Sequence, residues 1–197
     1  MSKSLNKVLQ EARKCRLCEK HLPLGPRPIV TGHKNSKIMI IGQAPGTKVH
    51  DSGQSWNDRS GDHLREWLQM DRDVFYNQKL ISIMPMGFCY PGKAQQGDKP
   101  PRRECAPLWH SKIREALPNI QLTLLVGAYA QKYYLKERCK STMAETVQNW
   151  KDYLPEFFPL PHPSWRSRGW IQNNPWFETE LLPDLKKIVD KILADDE

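Results

Sequence analysis

The stretch KIMIIGQAPG, residues 37–46, opens with a nearly continuous apolar run and closes in a turn of Gly, Gln, Ala and Pro. An apolar run that short, without alternating polar positions, reads as a strand buried on both faces, as in a parallel sheet. Gly42 and Gly46 free the backbone to turn tightly, so that N–H groups can point into whatever lies beyond the strand. Working outward, the same pattern recurs in KLISIMPM (79–86) and IQLTLLVG (120–127), and more briefly in EFFPLPHPS (156–164), which ends in a proline-locked turn. Helical patterns fall between these strands. SLNKVLQEARKC (4–15) places Leu5, Val8, Leu9 and Ala12 on one face, with Ser4 in the capping position. SGDHLREWLQM (60–70) turns Leu64, Trp67 and Leu68 inward. PRRECAPLWHSKIREAL (101–117) reads as a helix opened by Pro101, and AYAQKYYLKE (128–137) as another. The tail WFETELLPDLKKIVDKIL (176–193) is helical, with Pro183 opening or kinking its second half. Helices alternating with buried strands predict an α/β protein, a three-layer α/β/α sandwich with a mainly parallel central sheet. In such folds the ligand crevice lies beyond the carboxyl ends of the strands. GQAPG and HPSWRSRGW (162–170) each follow a strand directly, and so are expected to share it.

Length, charge and cysteine usage narrow the function. A chain of 197 residues suits one domain, 1–197, large enough for a proper core. The sequence shows no repeats, no low-complexity tract, no apolar leader after its basic start and no segment approaching a membrane span. It is expected to be cytoplasmic, where cysteines serve as thiols or metal ligands rather than disulfides. Thirty Lys plus Arg against 22 Asp plus Glu give a net charge of +8, which favours a polyanionic partner, with surface charge for solubility as the other reading.

Four of the five cysteines form two pairs: Cys15 and Cys18 in KCRLCEK, and Cys89 and Cys105 around fifteen residues rich in Pro, Gly, Lys and Arg. A C-x2-C pair with two further cysteines suggests four thiolates around one metal centre, and zinc or a [4Fe–4S] cluster takes the same ligands. The other reading of each is a small buried hydrophobe. Cys139, in KERCKS, has no partner at ligand spacing and reads as an ordinary thiol.

The order of these features is informative: C-x2-C, then an APG turn after a strand, then C-x15-C, then HPS. It resembles the iron–sulfur uracil-DNA glycosylases, families 4 and 5 of the uracil-DNA glycosylase superfamily, over most of the chain. That resemblance implies a structural [4Fe–4S] cluster on Cys15, Cys18, Cys89 and Cys105, with zinc the lesser occupant. It implies DNA as partner, a monomer at work, and a DNA-facing surface carrying Arg102 and Arg103. Removing a base breaks a C1′–N bond through a cation-like sugar and an anionic leaving base. The reaction needs a pocket for the extruded base, donors for the anion and a group to position or deprotonate water.

By the same resemblance, Gly42, Gln43, Ala44, Pro45 and Gly46 form the first active-site motif. Gln43 stands where family 4 carries an acid; an amide orients water but cannot act as a base. Asp58, two positions before Ser60-Gly61, matches an acid of family 5. It reads equally as an acid at a helix N-terminus. Trp56 is the candidate to stack on the base, with ordinary core packing as its other reading. In the second motif His162 donates to the leaving uracil, Ser164, Arg166 and Arg168 face phosphates, and Trp165 wedges into the gap left by the flipped nucleotide. Pro85 stands about where family 4 has the Asn that reads uracil. The implied function is a monofunctional DNA glycosylase that removes uracil or a related deaminated base and leaves an abasic site. The alternatives are a weak or inactive relative that binds modified-base DNA, and a zinc protein with an unrelated nucleotide substrate.

Overall fold

Four strands, β1 (Ile38–Ile41), β2 (Ile81–Ile83), β3 (Leu122–Val126) and β4 (Phe157–Leu160), lie side by side in the order β2-β1-β3-β4, all parallel. The structure, a computed structural model, describes residues 4–194; the two ends of the 1–197 domain expectation lie outside the described residues. Every residue of the four strands is buried, as a sheet covered on both faces requires. The pleat sends alternate side chains to opposite faces. Met39, Ile41, Leu125 and Phe157 join one core with the helices α1 (Leu5–Arg13), α5 (Cys105–Glu115) and α6 (Ala128–Leu135). Ile38, Ile40, Leu122, Leu124, Val126, Phe158 and Leu160 join the other, with α3 (Arg59–Leu68), α7 (Met143–Gln148) and α9 (Leu182–Ala194). Burying each such Ile or Leu contributes about 2 kcal/mol. The fold is a three-layer α/β/α sandwich.

Short helices α2 (Thr47–Ser52), α4 (Arg72–Tyr76) and α8 (Ser167–Gln172) complete the set. Both edges are managed. Pro159, which has no N–H to donate, sits in edge strand β4, and Thr31 pairs antiparallel with Ile83 to cover β2. No helix among the described residues is long and apolar enough to cross a membrane.

Leu5, Val8, Leu9 and Ala12 are all buried, but Ser4 makes no side-chain capping bond. The helix expected from Pro101 begins instead at Cys105, because residues 101–104 stay extended or turned to bring Arg102 back onto Glu104. In the tail, a π-helical turn, Phe177–Leu181, runs into α9, and Pro183 falls just inside the change of pitch. Proline has no N–H to offer the preceding turn, so the ladder shifts there.

Candidate active site

The order β2-β1-β3 makes β1 the point from which the chain winds both ways, and a cleft opens above its carboxyl end. The turn after β1 supplies Gly42, Gln43, Ala44, Pro45 and Gly46; the segment before α3 supplies Trp56, Asp58 and Ser60; the turn after β4 supplies His162. Every catalytic and base-contacting residue expected from the sequence therefore lines one cleft. Pro85, at the end of β2, lines it too.

Trp56 forms a wall. Its backbone is in the left-handed region, φ +58°, which costs a bulky residue energy and needs support. The support is visible: buried Arg65 donates to the Trp56 carbonyl at 3.2 Å, and the Tyr76 hydroxyl donates to it at 3.1 Å. Asp62 pairs with the same Arg65 at 2.5 Å. Glycines make the fit possible. A Cβ on Gly61 would lie 1.7 Å from the Trp56 carbonyl oxygen, and one on Gly42 2.6 Å from the indole ring. The indole faces His162 with ring centroids 5.8 Å apart.

Asp58 is the acid at a helix N-terminus, and it also borders the cleft. Oδ1 accepts the Gly61 N–H at 2.9 Å as the N-cap of α3, and the residue still lines the cleft. Burial holds the His162 pKa below its ordinary value, with the Asp58 carboxylate pulling the other way. A neutral imidazole keeps one N–H, the donor an anionic leaving group requires. The His162 carbonyl is fixed by the Ser164 N–H at 2.8 Å and the Ser167 hydroxyl at 2.5 Å.

Sequence reasoning missed four contributors. Asp98, from the cysteine-bracketed loop, lines the cleft. His110 lies beneath it, its Nε2 3.2 Å from the Pro85 carbonyl and its Nδ1 2.7 Å from the Tyr134 hydroxyl; burial lowers its pKa to about 4. Arg65 and Tyr76 hold Trp56 from behind. Asp98 shares the cysteine-bracketed loop with a second acid, Glu104, so the sequence alone does not single it out.

Cys15, Cys18, Cys89 and Cys105 line a single apolar chamber with Leu22, Phe88 and Trp109. The Phe88 N–H donates to Cys105 Sγ at 3.3 Å. Burial, with neighbouring cysteines adding to it, pushes the Cys89 thiol up to about 11 and Cys105 to about 12. Among the described residues no three His, Cys, Asp or Glu side chains are spaced around one metal ion. As a donor set, four sulfurs lining one apolar chamber, with a backbone N–H on one of them, fit the chemistry of a thiolate-held centre.

Arg102 turns to Glu104 and the Cys18 thiol, forming part of the chamber wall rather than reaching freely outward. Beside it a basic groove runs over Lys20, Lys99 and Arg103. Trp165 is 72% exposed, Arg166 and Arg168 are exposed, and the Arg166 guanidinium rests against Gly97 of the cysteine loop.

A cleft at the switch point of a parallel sheet, walled by the Trp56 indole and the His162 imidazole, defines an α/β protein with a pocket beyond the carboxyl ends of its strands. The chain belongs to the uracil DNA glycosylase superfamily, whose sequence model matches residues 29–186. Cys15 and Cys18 lie ahead of that match. A type-4 uracil-DNA glycosylase from Sulfurisphaera tokodaii is 24% identical over 196 aligned positions, covering 94% of this chain and 83% of the relative. The solution NMR structure of a candidate uracil DNA glycosylase from Methanosarcina acetivorans aligns with a TM-score of 0.48 at 17% identity, over 81% of this chain and 94% of that one.

Proposed function

We propose that the chain, acting as a single-domain monomer, hydrolyses the N-glycosidic bond of uracil or a related deaminated base in DNA and leaves an abasic site. The observation that carries this is the convergence of the β1 turn, Trp56, Asp58 and His162 on one cleft, in a superfamily named for that reaction. Trp56 stacks on the extruded base, and His162 donates to it as negative charge develops. Asp58 sets negative charge near the cation-like sugar, and Gln43 orients water. None of the described residues lining the cleft is a lysine, in keeping with hydrolysis rather than a Schiff base. Pro85 presents no side-chain donor or acceptor, so base choice rests on backbone groups and on shape.

Cys15, Cys18, Cys89 and Cys105 would hold a [4Fe–4S] cluster. When bound, it ties the segment after α1 to the start of α5 and gives structural support rather than electron transfer. A cluster spreads its ligand sulfurs around several irons, a wider arrangement than the tetrahedron zinc needs.

The test is a panel of uracil-, hypoxanthine- and xanthine-containing DNAs, single- and double-stranded, with abasic sites scored by alkali. Excision of at least one is expected. Tight binding to these DNAs without excision would favour a recognition protein, the role to which Gln43 and Pro85 point. DNA affinity should fall steeply with salt as phosphate contacts release counterions. Reversing Arg103 and Arg168 together should reduce the slope of log affinity against log salt by about 2. An unchanged slope would mark both as solvated surface charge.

A further inference from the structure

The cysteine-bracketed loop crosses the first turn of the cleft. Gln43 Nε2 donates to the Lys99 carbonyl at 3.4 Å, and Asp98 Oδ2 lies 3.4 Å from where a Cβ on Gly46 would stand. An acid therefore sits beside the motif whose own second position is an amide. Asp98 and Asp58 line the same cleft but differ in what they touch. Asp58 has one oxygen on the Gly61 N–H. Asp98 is exposed where it lines the cleft, and among the described residues no hydrogen-bond donor meets its carboxylate.

We propose that Asp98 is a second catalytic carboxylate of this cleft, the one that accepts the proton of the attacking water, supplied from the cysteine loop in place of an acid at position 43. The proposal rests on the glycosylase reading above and divides its chemistry between two acids. Asp58, tied to a helix N-terminus, provides fixed negative charge near the sugar; Asp98 takes the proton. Two carboxylates in one site take different roles when their surroundings differ.

The step balances. The C1′–N bond breaks and its electron pair leaves with the base, against the N–H of His162. The water oxygen bonds to C1′, its proton passes to Asp98, and that proton returns through solvent to the base anion. The products are an abasic sugar and the free base.

The groups around Asp98 suit a proton acceptor. Burial raises its pKa above the usual carboxylate value; Asp58 acts in the same direction, and Lys93 opposes them. Tyr90 also lies within its field, and Arg166 rests on the adjacent Gly97. A carboxylate of raised pKa is a stronger base.

The experiment measures single-turnover excision across pH for the wild type, Asp98→Asn and Asp98→Glu, with duplex DNA carrying one uracil, or another base if the panel identifies one. DNA affinity and metal content are read in parallel. The wild-type rate should rise with pH through an acid limb above the ordinary carboxylate range. Asp98→Asn should slow excision by about a hundredfold or more and abolish that limb, with affinity and metal unchanged. Asp98→Glu should recover part of the rate together with the limb. If the wild type excises and Asp98→Asn keeps its rate and limb, Asp98 is only an acid at the loop edge and the inference is overturned. If Asp98→Asn is slow but the limb persists, Asp98 is structural, which also overturns it. If the wild type excises no base at all, the glycosylase reading has failed and takes this inference with it.

Discussion

Asp58→Asn is expected to slow single-turnover base excision by about a hundredfold or more, with the fold and DNA affinity intact. The substitution separates two roles that the structure combines in one side chain. As the N-cap of α3, Asp58 accepts the Gly61 N–H, and asparagine caps a helix about as well as aspartate. What asparagine lacks is the negative charge facing a sugar that becomes cationic as the bond breaks. Asp58→Ala removes the cap as well and should cost about 1 kcal/mol of stability, which the Asn variant retains. Because Asp58 supplies charge rather than taking a proton, Asp58→Asn should keep the acid limb that Asp98→Asn loses. His162→Ala should match the rate loss from the other side of the bond, where the donor matters only as the base becomes anionic. Near-normal rates in Asp58→Asn would reduce Asp58 to a cap.

The sheet was legible because a strand buried on both faces leaves a simple trace. Ile38, Met39, Ile40 and Ile41 are all apolar, and only the pleat decides which core each joins. The face of α1 was equally plain, since Leu5, Val8, Leu9 and Ala12 recur at helical spacing. Helix beginnings were less so. Pro101 has the chemistry of a first helical residue, but the Arg102–Glu104 pair holds the chain in a turn until Cys105. Within the site, residues belonging to continuous motifs could be found from sequence. Asp98 could not, because its place beside Gly46 arises from one loop crossing another, and no local pattern encodes that. The left-handed backbone of Trp56 was hidden for a similar reason. It depends on Arg65 and Tyr76, nine and twenty positions on, and on Gly61 having no side chain.

Cys89→Ser is expected to lose metal and stability together. The wild-type protein, purified without oxygen, should be brown with about four irons per chain, and the variant colourless. Cys15 and Cys18 follow α1, Cys89 follows β2 and Cys105 opens α5, so one centre would tie together three segments that are distant along the chain. Such a centre has no preformed site in the unfolded chain, and its binding energy is therefore folding energy. Losing a ligand should cost on the order of 5 kcal/mol, about 10–20 °C in Tm for a chain of this size. Cys139→Ser is the control. Its sulfur lies 3.5 Å from the Gln131 carbonyl, and it is not among the residues lining the four-cysteine chamber, so iron content should be unchanged. Zinc in place of iron in the wild type would overturn the cluster while preserving a four-cysteine site. A colourless, metal-free wild type as stable as Cys89→Ser would show that the chamber is held by its apolar walls alone, with Leu22, Phe88 and Trp109 doing what the metal was proposed to do.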